Sequence, residues 1–328
     1  MNAAAVSAKR AHRQIAAIPV APVSVVASAM GGRLGVHLDA AEDRETARRD
    51  GARTIARARR WADRLSRRLA TSDISRLNDA GGTAVLVRPM LGAILEAGRE
   101  ACERGEGLVD ITLLGARLAA EGLVPVTGTA TGPGTWAIVR GRRGGASVRR
   151  PPDVRFDLDG IAKGWIADRA LALLSAWPSA VVDADGDLAV RAAPGRSWPI
   201  GVGDPRDPGA LLATLVLAAP AAAYPAQWGV ATSGTSVHHW GPAGTVRHHL
   251  IDPRTAAPAV TDVVQATVVC STALDAEVMA KAAVIAGSVE ALALLERERI
   301  AGAVLLTDRD EVLALPSTLA LLARDGAA

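Results

Sequence analysis

The 328 residues predict an α+β fold with mixed, largely antiparallel sheets and flanking helices. Three observations carry that prediction. Strand patterns such as "AVVDADGDLAV", "SWPIGVG", "ALLATLVL" and "WGVATS" succeed one another across Gly, Pro and Asp, as strands joined by short turns do. Helical patterns stand between them without a regular βαβ alternation, which argues against a doubly wound parallel sheet. No internal repeat is present, so the elements belong to one architecture rather than to an array.

Taken in order, residues 1–20 read as a flexible basic tail. The stretch "AKRAHRQIAAIPVAPVSVVASAM" has a charged start and an apolar run, but two prolines interrupt it and no Cys follows that could take a lipid. Pro22 to Met30 is expected as the first strand, and "RLGVHLD" from Arg33 alternates as a second. "RETARRDGARTIARARRWADRLSRRL" places apolar residues at helical spacing along one long amphipathic helix. Its arginines are interspersed with Glu and Asp, so they read as a solvated face rather than a nucleic-acid or lipid surface. A polar turn, "ATSDISRLND", precedes a short strand, "TAVLV", and a helix from about Met90 to Cys102. Residues 122–135, rich in Gly, Thr and Pro, read as a loop or lid. "TWAIVRGRRGGASVRR" is expected as a hairpin with Gly at its turn. "DVRFDLDG" reads as a strand running straight into the helix "IAKGWIADRALALLSAW". After the strands named above come "VVQATVVC", a helix through "DAEVMAKAAVIAG", a second helix and a closing hairpin, "AGAVLLTDRDEVLAL". Residues 21–328 are expected to form a single domain.

Composition narrows the function classes. With 49% hydrophobic and 22% charged residues the chain is globular and not disordered. Its two cysteines, Cys102 and Cys270, form no CxxC pair, which argues against a disulfide framework or structural zinc and for the cytoplasm. No apolar stretch is long enough for a membrane span. One Tyr, one Phe and dispersed Trp give no aromatic platform for single-stranded nucleic acid.

Chemistry concentrates in a few polar clusters. "DLDGIAKG" brings Asp157, a glycine at a helix start and Lys163 in the first turn, where backbone N–H groups and a lysine attract anions such as a pyrophosphate. The spacing is not that of a Walker loop, and a capped helix with Lys163 paired to Asp159 would leave the same pattern. "VDIT", "DADGDLAV" and "ATSGT" add further polar corners. "RHHLIDPRTAAP" places two histidines, Asp252 and Arg254 within eight residues, more titratable chemistry than a turn requires.

Together these pieces resemble the ApbE-type flavin transferases, which move FMN from FAD onto a threonine or serine of a client protein. "MGG" at Met30, "TSDISRLN", "GLVDIT", "DLDGIAKG", "DGD" at Asp185 to Asp187, "TSG" at Thr232 to Gly234 and "HHLIDPRTA" match that family's motifs in order, from about residue 25 to 290. The resemblance implies FAD as donor, a flavin-accepting client protein as partner, and His249 as the catalytic histidine. Asp252 and Arg254 would brace its loop, with His248 structural. It implies flavin contacts at Met30, Leu108, Val109, Asp110, Asp157, Lys163 and Leu250. Arg68 stands where the family often has an aromatic residue, and a guanidinium plane can stack on a ring in its place. Asp168 reads as a helix-face residue. The alternative within the same fold is a protein that holds FAD with little or no transfer.

The family's magnesium site is the main departure. Its carbonyl ligand corresponds to Gly160, its Asp position to Glu277 and its Thr position to Lys281. Magnesium wants hard oxygen ligands and a lysine supplies none, so the expectation is that the Lys281 ammonium takes the metal's place. Ala256 replaces the glycine that ends "DPRTG", and Asp159 replaces a glycine beside the pyrophosphate site. Asp159 would repel phosphate unless paired, and Lys163 is its expected partner.

Overall fold

Eight strands form one antiparallel sheet in which neighbours in space are also neighbours in sequence. They are β1 (Pro22–Ala29), β2 (Gly32–Asp39), β3 (Ala180–Ala184), β4 (Asp187–Ala192), β5 (Ala226–Gly234), β6 (Val263–Cys270), β7 (Gly302–Thr307) and β8 (Val312–Ala314). The structure is a computed structural model; it describes residues 18–19, 22–40, 42–124, 133–140, 145–221, 225–236, 239–240 and 247–323.

The central strands read as continuous apolar runs because both faces of the sheet are covered. Consecutive residues part to opposite sides. Val182, Ala189, Ala231, Val268 and Leu305 join the larger core beneath the helices. Val181, Val190, Val230, Val269 and Val304 join a second core with Trp198, Val202, Leu215 and Leu217. The second layer is a hairpin of Arg196–Gly203 and Leu211–Ala218, with Ile18–Pro19 added in parallel. The last residues of the expected tail are therefore built into a sheet, and residues 1–17 lie outside the described residues.

The helices are α1 (Arg44–Leu65), α2 (Asp73–Asp79), α3 (Pro89–Arg104), α4 (Leu114–Ala120), α5 (Ala162–Leu173), α6 (Ala273–Ala286) and α7 (Ser288–Arg297). On α1 the buried stripe is Ala47, Gly51, Ile55, Ala58, Ala62 and Leu65, small residues at helical spacing that let it lie close to the sheet. Asp43 caps it by accepting from the Thr46 amide. α6 is buried on all sides, which its alanine-rich sequence permits, and it rests on β5 and β6 and against α5. Gly164 of α5 makes that approach possible, since a Cβ there would strike the backbone of Ala273 and Leu274.

Three local readings are corrected. "AVVDADGDLAV" is two strands, β3 and β4, because Asp185 and Gly186 turn the chain with positive φ. "ATSDISRLND" contains a helix, α2, because the Ser72 hydroxyl accepts from the Ser75 amide and Ile74 and Leu77 bury its inner face. "DVRFDLDG" is not a strand: only Arg155 makes a bridge, to Leu113, and the segment is held instead by Asn78. That side chain donates to the Phe156 carbonyl at 2.8 Å and accepts from its amide at 2.7 Å. The two strands of the hairpin expected over 135–150 pair, Ala137–Arg140 with Ala146–Arg149 and the latter with Ala84–Val87, while its turn at 141–144 lies outside the described residues. Most of the expected loop at 122–135 lies outside the described residues. No helix among the described residues is long and apolar enough to cross a membrane.

Candidate active site

Two tight turns and two helices surround a cavity of about 720 Å³ at one end of the sheet. The turns are Met30–Gly31, joining β1 to β2, and Asp185–Gly186, joining β3 to β4. All four residues have positive φ: 56°, 82°, 58° and 93°. This is the two-residue hairpin geometry whose twist suits antiparallel strands, and glycine at the second position makes it accessible. Because β2 pairs with β3, the two tips lie side by side, and the Arg33 amide donates to Asp185 across them.

The helical wall carries the charge. Lys163, in the first turn of α5, pairs through Nζ with Asp187 Oδ2 at 2.9 Å. It does not pair with Asp159, whose partner is Arg67, Nε to Oδ2 at 3.1 Å. Burial works against the Lys163 ammonium, but Asp187, Glu277 and Asp185 outweigh it and raise its pKa above the ordinary lysine value. Burial raises the Asp187 carboxyl, with Lys163 opposing. Glu277 accepts from the Gly164 amide at 2.8 Å, and burial, then the charge of Asp187, push its pKa well above the ordinary carboxylate value. Lys281, one turn further along α6, is lowered by burial, with Asp157 as the main opposing charge. Its Nζ lies so close to Gly160 that a Cβ on that glycine would collide with it.

The histidine loop forms the opposite wall. The His248 ring turns into the core: Nε2 lies 3.0 Å from the Ala259 carbonyl, and Nδ1 accepts from the Leu250 amide. His249 and Leu250 line the cavity. Asp252 and Arg254 close the following turn, with Arg254 Nε and Nη2 on the two carboxylate oxygens at 3.0 and 2.9 Å.

A buried network that the sequence did not disclose ties the two walls together. Arg67 pairs with Asp159 and reaches Asp157 at 3.8 Å, and donates to Glu121 at 2.5 Å. Glu121 also accepts from Arg117 Nε at 2.6 Å, and Arg117 Nη1 donates to the His249 carbonyl at 2.5 Å. The i, i+4 spacing of Arg117 and Glu121 was the available signal; nothing in the sequence distinguishes Arg67 from the arginines around it.

Of the expected site residues, the cavity brings together Met30, Arg68, Asp110, Asp157, Gly160, Lys163, His249, Leu250, Glu277 and Lys281. Leu108 and Val109 do not line it, because their apolar side chains pack into the larger core. Asp110 is held by the Thr112 amide and hydroxyl, both at 2.8 Å. Burial, then Asp159, raise the pKa of Asp157. Asp168 is more than a helix-face residue: it accepts from the amides of Ala273 and Leu274 and so caps α6 from a neighbouring helix.

The residues in the metal slots do not fit a magnesium ion. The ammonium of Lys281 fills the space beside Gly160 and supplies no oxygen, and the Glu277 carboxyl is already oriented by the Gly164 N–H.

Comparison with known proteins places these features in context. A family model described as the ApbE family matches residues 30–305. An FAD:protein FMN transferase of Treponema pallidum (strain Nichols) is 33% identical over 172 residues, which are 47% of this chain and 46% of that protein. One from Klebsiella pneumoniae (strain 342) is 28% identical over 172 residues, 51% of each. The chain thus spans about half the length of the curated relatives it matches. Among solved structures, the ApbE protein of Thermotoga maritima superposes with a TM-score of 0.78 at 20% identity, covering 92% of this chain and 100% of that one. The apo form of the flavinyl transferase ApbE of Pseudomonas stutzeri gives 0.74 at 21% identity, covering 92% and 96%. These likenesses are to the fold.

Proposed function

The chain belongs to the ApbE family, and from that premise we propose that it transfers FMN from FAD to a threonine or serine hydroxyl of a client protein. The observation that carries this reading is the convergence, in one cavity, of His249 on one wall with the Lys163 end of α5 on the other. A pyrophosphate at the helix start meets the backbone N–H groups and the Lys163 ammonium. The family's relatives named FAD:protein FMN transferase support the choice of FAD.

The reaction balances without an oxidant or reductant. The client hydroxyl oxygen attacks the FMN-side phosphorus of FAD, and the bond from that phosphorus to the bridging oxygen breaks. AMP leaves with the electron pair, and the hydroxyl proton passes to the His249 imidazole. Lys163 faces the charge that builds on the departing phosphate. Arg117, by holding the His249 carbonyl, fixes the loop from which that ring projects. Magnesium has no part in this step, because Lys281 and the oriented Glu277 do not fit it. Residues 21–328 act as one domain in this reading, supported by a core that runs from Val23 to Leu315. The two free, buried cysteines support a cytoplasmic location.

The test separates transfer from binding. His249→Ala should abolish covalent flavin incorporation into an acceptor protein, read by in-gel flavin fluorescence, while FAD affinity stays within about threefold of the parent. Equal loss of both would move His249 from the chemistry to the binding site.

A further inference from the structure

We propose that the Lys281 ammonium is a built-in counter-cation for the dinucleotide pyrophosphate, so that this chain binds FAD without a divalent metal. The inference rests on the reading of the cavity as a flavin-nucleotide site and goes beyond it, since it assigns the positive charge to the protein.

Four observations carry it. Lys281 projects from the largely buried α6 and reaches the cavity, half-buried, so this helix presents a positive charge to the lining beside Asp157 and Glu277. Its Nζ sits against Gly160, at the turn that leads into α5 and Lys163, where a Cβ would push it aside. Of the acids around it, Asp157 is half-buried and Glu277 is buried, and Glu277 is oriented by the Gly164 amide. Of the two side-chain slots beside Gly160, one holds Lys281 and only the other, Glu277, offers an oxygen. A divalent ion at this point would face an ammonium within contact distance, a repulsion that a poorly solvated interior makes large.

The physical consequence differs from that of a metal. An ammonium offsets phosphate charge and donates up to three hydrogen bonds, but it cannot coordinate two phosphate oxygens and a leaving oxygen at once. FAD binding should therefore be independent of magnesium, and the chemical step should gain nothing from it.

FAD fluorescence quenching, titrated in EDTA and in magnesium, reads the first consequence. The two dissociation constants should agree within about twofold for the parent chain. The free Mn²⁺ signal in electron paramagnetic resonance should be unchanged by the protein, with or without FAD. Lys281→Met keeps length and removes charge, and should weaken FAD binding by at least about tenfold in both media, without rescue by magnesium. Lys281→Thr combined with Glu277→Asp should convert the site, making FAD affinity rise by at least about tenfold on adding magnesium. Circular-dichroism melting establishes that each variant is folded, and the parent titration and Mn²⁺ signal decide the question if one is not. Parent FAD affinity that depends on magnesium, or Mn²⁺ bound by the parent, would overturn the counter-cation while leaving the flavin site intact. So would a folded Lys281→Met chain of unchanged affinity. Absence of FAD binding in both media would bring down the flavin site and the counter-cation together.

Discussion

The cavity has two kinds of wall, and they are specified in different ways. The hairpin wall, Met30–Gly31 and Asp185–Gly186, is set by backbone conformation: positive φ at four positions and a two-residue loop between paired strands. The helical wall, Lys163, Glu277 and Lys281, is set by which charge faces which, with Asp187 at the start of β4 as the partner of Lys163. Backbone demands leave residue types that can be read in place, whereas charge pairing depends on the third dimension. The "DG" of the second hairpin stood in the sequence as a polar corner inside one strand pattern, which the structure divides into β3 and β4, while Lys163 was expected beside Asp159 and stands beside Asp187.

The largest expected effect breaks the helical wall. Lys163→Met leaves Asp187 buried and unpaired, at 2% exposure. That should cost about 3–5 kcal/mol of stability and weaken FAD binding by roughly ten- to a hundredfold. Adding Asp187→Asn should restore most of the stability and none of the affinity, read by denaturant melts beside FAD titration. Recovery of affinity in the double variant would mean that Lys163 only neutralises Asp187 and does not face the ligand.

The same contrast shows how much of the molecule was legible. Strands, the long first helix and the closing hairpin follow from periodicity, since each buries one face or two. The cluster of His249, Asp252 and Arg254 was visible because polar residues crowd a short loop. Arg67 and Asn78 were not, because each acts on a partner far away in sequence: 92 residues separate Arg67 from Asp159, and 78 separate Asn78 from Phe156. For Arg117 and Glu121 the i, i+4 spacing was visible, but not their distant partners His249 and Arg67. Leu108 and Val109 were named as contacts through a motif, whereas burial sends their side chains to the core.

A smaller effect concerns the cap on α6, the helix that carries Glu277 and Lys281. Burial raises the Asp168 carboxyl to about 6, although two backbone amides oppose the shift. A carboxyl raised on folding contributes stability that is fully present below its unfolded pKa and is lost as pH rises through about 6. Asp168→Asn removes that titration. The stability of the variant relative to the parent should thus increase between pH 4 and pH 7, by about 2–3 kcal/mol for a shift of roughly two units. Taking the difference cancels the buried His37 and His248, whose lowered pKa values act in the opposite direction in the same range. A difference flat across that range would show that Asp168 keeps its ordinary titration and acts only as a hydrogen-bond acceptor.

The smallest effect tests whether backbone demand is as strong in the histidine loop as in the hairpin wall. Ala256 stands where the family's motif ends in glycine, and its φ is 55°, in the left-handed region. The conformation is held from outside the residue: its amide donates to the Asp252 carbonyl at 2.8 Å, and Asp252 is itself clamped by Arg254. A Cβ in this region costs about 1–2 kcal/mol, while glycine adds unfolded-state entropy that takes back about 0.4–1 kcal/mol. Ala256→Gly should therefore stabilise the protein by up to about 1 kcal/mol, a rise of roughly 2 °C in Tm for a chain of this size. FAD affinity should stay unchanged, because the residue does not line the cavity. A fall in Tm would mean that the Asp252–Arg254 clamp does not hold this turn and that Ala256 adopts a right-handed conformation in solution.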